Sequence, residues 1–443
     1  MSIASRPGGL LMGVLLVLLA AAEFAVRGPM RAVEQGNDFS GLFAASRVFR
    51  HGENPYEQNL VETEFIAAQD DPPDTSRPVH RQFYPPYVMV LLLPFSFLSW
   101  QKARFALAVV NCVLPVLALA LYLWQHRAAD QAVFRSWLCI VFLLALAPLH
   151  TGIALGQPVV GAVAFLFLSI LLVEKERFLV AGVLLALATV MKLLLALPII
   201  AYFILRGRWR PLTVCAAVVL VISVGVLMWW GNATPDYLSM AAANLQKERL
   251  SGPMNPTDAH YYHRVDLAPL TVLPSAYVPA VPVGISAALT LALAVALFRL
   301  RRRMAEPEVR VLTLSAFCLL SLMIFYHGYY DVFLLFIPAC YAIFTLRFTR
   351  KQVVFFLLLL PPFLFPIGTA LHVLKDSMSW IRDIVSLPVL GRLLSLNLNI
   401  VLLALFVWVL FRMWAPREVR GCRDRETERI VGARSRGIPL SRR

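Results

Sequence analysis

From Leu10 to Trp414 the chain is a succession of long apolar runs separated by short polar ones. A segment crossing hydrocarbon must satisfy its own backbone hydrogen bonds, so only helices and closed barrels span a bilayer, and these runs are too long for barrel strands. The chain is therefore expected to be an all-α integral membrane protein, a polytopic bundle of about twelve transmembrane helices. Hydrophobic residues make up 59% of it and charged residues 15%. The net charge of +15 does not call for nucleic acid. The arginines sit in short loops and in the C-terminal tail, where orientation bias and anionic lipid account for them.

In chain order the expected spans begin with Leu10–Val26, where Arg6 favours a cytoplasmic N-terminus. Ala20-Ala21-Ala22 mimics a signal-peptidase site, but further apolar runs follow and the segment is read as a retained helix. Residues 27–82 then form an outer loop. Within it Phe39, Leu42, Phe43, Ser46 and Phe49 fall at helical spacing and predict an amphipathic interfacial helix. Gly52 and Asn54-Pro55 stop that helix, and a weaker helical segment follows near Asn59–Gln69. The acidic cluster Asp70-Asp71-Pro72-Pro73-Asp74 reads as a solvated loop before it reads as a cation site.

Pro85, Pro86 and Pro94 mark Phe83–Trp100 as a broken or re-entrant element. Ala103–Trp124, Ser136–His150 and Val159–Val173 are expected spans. Phe178–Leu205 is longer than one span needs and carries Lys192 at its middle. An ionisable group at bilayer depth costs roughly 2.5–3.5 kcal/mol, so the run is better cut at Lys192 into two short helices. Pro211–Trp230, Thr271–Phe298, Arg310–Phe325, Tyr329–Leu346, Val353–Leu374 and Leu393–Trp414 complete the set. Two topologies fit, one in which both doubtful runs cross once and one in which the Pro-rich run does not cross and Phe178–Leu205 is a hairpin. The second keeps Arg127, Arg135, Lys175 and Arg177 inside, and positive-inside bias favours it.

Residues 1–415 thus form one transmembrane domain with a second outer loop over 231–270, and the arginine-rich tail 416–443 is expected to be disordered in the cytoplasm. Nearly every polar group that orientation bias leaves unexplained falls on one side: Asp38, Gln157, Lys192, the 231–270 loop, Tyr326–Asp331 and the 375–391 loop. That asymmetry points to an outward-facing site. No internal repeat stands out, and there is no Walker motif, dinucleotide fingerprint or G-x-S-x-G elbow to support nucleotide or serine-nucleophile chemistry. Cys112, Cys139, Cys215, Cys318 and Cys340 lie inside apolar runs, so neither a disulfide nor a metal site is expected.

Each candidate also has a plain structural reading. Asp38 precedes a helical pattern and suits an N-cap, which needs no catalytic role. It is also a carboxylate at the membrane surface, able to accept a proton from an attacking hydroxyl. His327 and Asp331, with the tyrosines around them, suit sugar or phosphate binding and equally suit an interfacial aromatic belt. Lys192 suits a lipid phosphate, a buried acid or a snorkelling position. His260, His263, Arg264 and Asp266 are dense enough for a ligand-facing loop, although no further ligand completes a zinc set.

The order of Asp38-Phe39, Ala44-Ala45, Gly52-Glu53-Asn54-Pro55-Tyr56, Tyr84-Pro85-Pro86, Gly156-Gln157 and Ala181-Gly182 through Lys192 resembles glycosyltransferase family 87. That resemblance implies a GT-C-like bundle taking a sugar, mannose favoured, from a polyprenyl-phosphate donor at the outer face of the cytoplasmic membrane, with no cofactor and no required metal. The implied acceptor is a lipid-linked or cell-envelope glycan, and both termini would be cytoplasmic. Asp38 matches the catalytic base, while Lys192, Gln157 and His327 match positions near donor or acceptor. Tyr84, Asp331, His263 and Arg264 complete the expected substrate-binding set. The chain departs from the family pattern behind Lys192, where Leu193-Leu194-Leu195 precedes Pro198. The rival readings are a transporter or flippase for lipid-linked glycans and a non-catalytic assembly partner.

Overall fold

The structure is a computed structural model and describes residues 7–34, 36–70, 79, 84–129, 131–251, 264–271, 280–375, 377–387 and 390–414. The described residues are helical, with no strand among them beyond an isolated bridge between Arg264 and Gly328. Chain order gives α1 (Pro7–Ala25), continued through a π-turn to Glu34, then α2 (Asn37–Arg50), α3 (Gln58–Ala67), α4 (Pro86–Ser96) and α5 (Trp100–Gln125). They are followed by α6 (Ala132–Ala145), α7 (Ala147–Leu155), α8 (Val159–Glu174), α9 (Phe178–Met191), α10 (Leu193–Leu205) and α11 (Trp209–Trp229). The second half holds α12 (Ala233–Ser251), α13 (Ala280–Leu300), α14 (Pro307–Ile324), α15 (Phe336–Thr345) and α16 (Asn397–Trp414), with short pieces between the last two.

Among the described residues, six helices are long and apolar enough to cross a bilayer, or seven if α6 and α7, bent by 45°, count as one span. The remaining expected spans are shorter or broken, so helix length alone does not give twelve. Val353–Leu374, expected as one span, is cut into Arg350–Leu359, Pro361–Leu364 and Ile367–Leu374. Pro361, Pro362 and Pro366 cause the cuts, since proline lacks an N–H and its ring clashes with the preceding turn. The Pro-rich run yields only α4, whose 11 residues reach about 16 Å against a hydrocarbon core of about 30 Å.

The run Phe178–Leu205 does break at Lys192, where the backbone leaves the helical region (φ −160°, ψ 88°). The Arg210 guanidinium at the head of α11 lies 5.7 Å from the Phe178 ring. The start of α9 and the end of α10 therefore lie at the same end of the bundle, and Lys192 is the tip of the hairpin they form. α8 stands beside this hairpin and is almost wholly buried, with Leu166, Phe167, Ile170 and Leu171 in the main core.

A second core is built from α2, α3, α4 and the head of α5. Trp100 is its centre, with the rings of Phe65, Phe43 and Phe39 at 5.1, 5.4 and 5.7 Å. Such contacts add roughly 0.5–1.5 kcal/mol each beyond area burial. Arg47 and Arg50 both donate to the Ser96 carbonyl, closing the C-terminus of α4 with positive charge. The sequence pattern predicts α2 as a helix lying in the interface with one face exposed. In the structure Ala44, Ala45 and Val48 are buried along with the predicted apolar face, because α3 and α4 cover it. α2 is thus a packed layer, held rigidly against the bundle.

Candidate active site

Asp38 is the second residue of α2. The expected N-cap role belongs instead to Gly36, whose φ of 54° is left-handed and whose N–H donates to the Ala154 carbonyl at 3.1 Å. A Cβ at Gly36 would lie 2.8 Å from Cδ of Arg104, so a side-chain cap has no room there. Released from capping, the half-buried Asp38 carboxylate lies in the first turn, among backbone N–H groups that favour negative charge. Its Oδ2 accepts a short hydrogen bond from Nε2 of Gln157. Asp38 pairs with no cation among the described residues.

Gln157 occupies the tight turn between α7 and α8 and is 4% exposed. Gly156 before it terminates α7 at φ 70°, and a Cβ there would fall 2.6 Å from Cβ of Phe39, the neighbour of Asp38. This close approach seats the start of α2 on the turn. The Gln157 backbone N–H donates to Gly152 O at 2.8 Å, and its carbonyl accepts from Nδ2 of Asn111 at 3.4 Å. Its side-chain Oε1 accepts from the Tyr84 hydroxyl at 2.9 Å, leaving Nε2 to face Asp38. Burial, with the carboxylates of Asp331 and Asp38 close by, pushes the Tyr84 phenol above its ordinary value, so Tyr84 remains a donor.

A second group meets the first through Tyr84. At the tip of the α9–α10 hairpin, Nζ of Lys192 bonds Oδ1 of Asp331 at 2.5 Å and lies 4.7 Å from the Tyr330 ring centre. The other oxygen, Oδ2, accepts from Nδ1 of His327 at 3.0 Å and from Gly328 N–H at 3.1 Å. Asp331 is 1% exposed and His327 is fully buried, with Nε2 lacking a hydrogen-bond partner among the described residues. The carboxylate thus fixes the Nδ1 proton of the imidazole and the direction of the lysine at once.

Arg264 is placed next to this group, where its neighbour Val265 donates to the His327 carbonyl at 3.1 Å. Its guanidinium is engaged bidentately by Asp266 at 2.8–3.0 Å and lies over Tyr326. Nδ2 of Asn399 on α16 holds the segment through the carbonyls of Arg264 and Asp266. Burial pushes the Asp266 carboxyl above its ordinary value, and the adjacent Arg264 offsets only part of that rise. Arg264 therefore reads as a brace for the His327 turn. His263 and His260, and the acidic cluster apart from Asp70, lie outside the described residues.

The structure thus brings Asp38, Gln157, Tyr84, Lys192, Asp331 and His327 together from five separate stretches of chain. Sequence reasoning missed Asn111 and Asn399. Both carry a visible signal, an amide at the edge of or inside an apolar run, Asn111 alone and Asn399 with Asn397 beside it.

The family model of glycosyltransferase family 87 matches residues 83–325. The matched stretch contains Tyr84, Gln157, Lys192 and Arg264. It stops short of Asp38 on one side and of His327 and Asp331 on the other. No curated protein and no solved structure matches the chain.

Proposed function

The chain belongs to glycosyltransferase family 87, matched over more than half its length, and from that premise we propose that this membrane glycosyltransferase takes its sugar from a polyprenyl-phosphate donor. The sugar is a hexose, mannose favoured, or a pentose, and the acceptor is a hydroxyl of a lipid-linked or cell-envelope glycan. Transfer takes place at the outer face of the cytoplasmic membrane, with both termini on the cytoplasmic side.

In this reading Asp38 is the catalytic base. As the acceptor oxygen bonds to the anomeric carbon, its proton passes to the Asp38 carboxylate. The bond from the anomeric carbon to the phosphate oxygen breaks, and the electron pair leaves with the polyprenyl phosphate. Phosphate is a good leaving group, so one base and one stabilising cation suffice. Lys192 supplies the cation. Asp331 and, through it, the buried His327 hold that cation in place, and Gln157 and Tyr84 aim the base.

The observation that carries the reading is the hydrogen bond from Gln157 to Asp38. It holds an otherwise unpaired carboxylate beside the Lys192–Asp331 pair, and plain helix capping would not require it. The test is Asp38→Asn, assayed in membranes supplied with polyprenyl-phosphate mannose, arabinose, glucose or galactose. Transfer is expected to fall by about 10²–10⁴-fold with expression intact. Undiminished transfer by this variant would remove Asp38 as the base, and no transfer by the wild type from any of these donors would overturn the donor class.

A further inference from the structure

The bundle carries a second polar chamber at its other end. α8 begins just after Gln157 and ends at Glu174, and its 16 residues place Glu174 about 24 Å from the Asp38 turn. There a cavity of about 310 Å³ opens between α8, α10 and α14 and adjoins one of about 160 Å³. The two share His126, Glu174, Tyr202 and Arg310, so they form one chamber, at the small end of the range for ligand pockets.

Three arginines from two places reach it: Arg206 and Arg208 in the turn that closes α10, and Arg310 in α14. Orientation bias explains basic residues at this end, but it leaves them in water and does not gather them around a cavity. Among the described residues Glu174 is the single acid lining the chamber, and Arg206 and Arg310 lie within its electrostatic range. Neither forms an ion pair with it. Glu174 instead accepts from the Tyr341 hydroxyl at 3.1 Å, and Arg206 meets Tyr202, 3.5 Å from its hydroxyl and 6.0 Å from its ring centre. The charges stand around the space without closing across it, and three cations face one carboxylate.

We propose that this chamber binds a phosphate group, supplied by an anionic lipid headgroup of the facing leaflet or as free phosphate, at a site separate from the Asp38 centre. Guanidinium forks match phosphate oxygens, and basic pockets between membrane helices are suited to such headgroups. Ile170, Val173 and Phe203 give the chamber an apolar side on which the glycerol and first acyl carbons of a lipid would rest.

The test uses the full chain in nanodiscs of phosphatidylcholine, titrated with short-chain phosphatidylglycerol or with inorganic phosphate and read by thermal shift and by native mass spectrometry. Arg310→Gln is expected to weaken binding by about tenfold or more, the loss of one charge-assisted contact. Glu174→Gln keeps the acceptor for Tyr341 and removes the opposing charge, so it is expected to strengthen binding. A merely structural role would not move the two variants in opposite directions. Binding of phosphatidylglycerol alone identifies a headgroup site, and equal binding of both probes identifies a site for the free anion. Failure of both probes to bind, or a Glu174→Gln variant that binds no better than wild type, overturns the proposal.

Discussion

Lys192 and Asp331 stand 139 positions apart in the chain and 2.5 Å apart in space. The pair joins the tip of the α9–α10 hairpin to the turn before α15, and Asp331 shares its second oxygen with His327. Asp331 is 1% exposed and the Lys192 side chain 16%. Removing one partner of such a pair leaves a buried charge uncompensated. Lys192→Met should lower stability by about 3–5 kcal/mol, seen as a reduced thermal midpoint of the purified protein in detergent. A midpoint equal to wild type would show that the pair does not anchor the hairpin.

Gln157 is predicted to act on Asp38 by aiming it. Gln157→Leu keeps the side-chain bulk and loses both hydrogen bonds, and transfer should fall by about 10–100-fold, as when a supporting hydrogen bond is removed from a functional group. The fold should survive, which size-exclusion profiles would check.

Gln157→Glu makes a sharper test, because it sets a second carboxylate against the first. Like charge disfavours the doubly ionised state of two facing carboxylates. A base works only when deprotonated, so the acid limb of the rate profile should move to higher pH. A profile superimposable on wild type would argue against Asp38 as the base.

Tyr84→Phe deletes the hydroxyl that holds Oε1 of Gln157. One hydrogen bond is worth about 1 kcal/mol, or roughly a fivefold change in rate. The loss should appear in kcat with little change in expression, and it should vanish in the Gln157→Leu background, where the bond no longer exists.

Gly156 and Gly207 both adopt left-handed backbone, at φ 70° and 63°. A Cβ at Gly207 meets nothing within 4 Å, whereas at Gly156 it would press on Phe39. Gly207→Ala should therefore cost only the backbone term of about 1–2 kcal/mol. Gly156→Ala should cost more and should reduce transfer as well, because the start of α2 must shift. Equal effects of the two substitutions on stability would mean that the Phe39 contact yields freely.

Much of this arrangement was legible in the residues. Lys192 in the middle of an apolar run forces a break, since a charge at that depth is costly, and the structure breaks there. The grouping of Asp38, Gln157, Lys192 and Asp331 followed from asking which polar groups orientation bias leaves over. The N-cap is Gly36 and not Asp38, because which of them starts the helix depends on the backbone of Ala154 and the side chain of Arg104, neither of which is near in sequence. Arg264 reads in sequence as a ligand-facing charge, and the structure adds its bidentate partner Asp266 two residues away. The chamber at Glu174 was invisible for another reason: an arginine in a short loop reads the same whether it faces water or a cavity.

The hairpin also has a place in time. Synthesis proceeds at about 5–20 residues per second, so Asp331 emerges roughly 7–28 s after Lys192, given the 139 positions between them. For that interval the hairpin tip has no carboxylate from the His327 turn to meet its lysine. The Lys192–Asp331 pair can therefore close only after much of the second half of the bundle has been made.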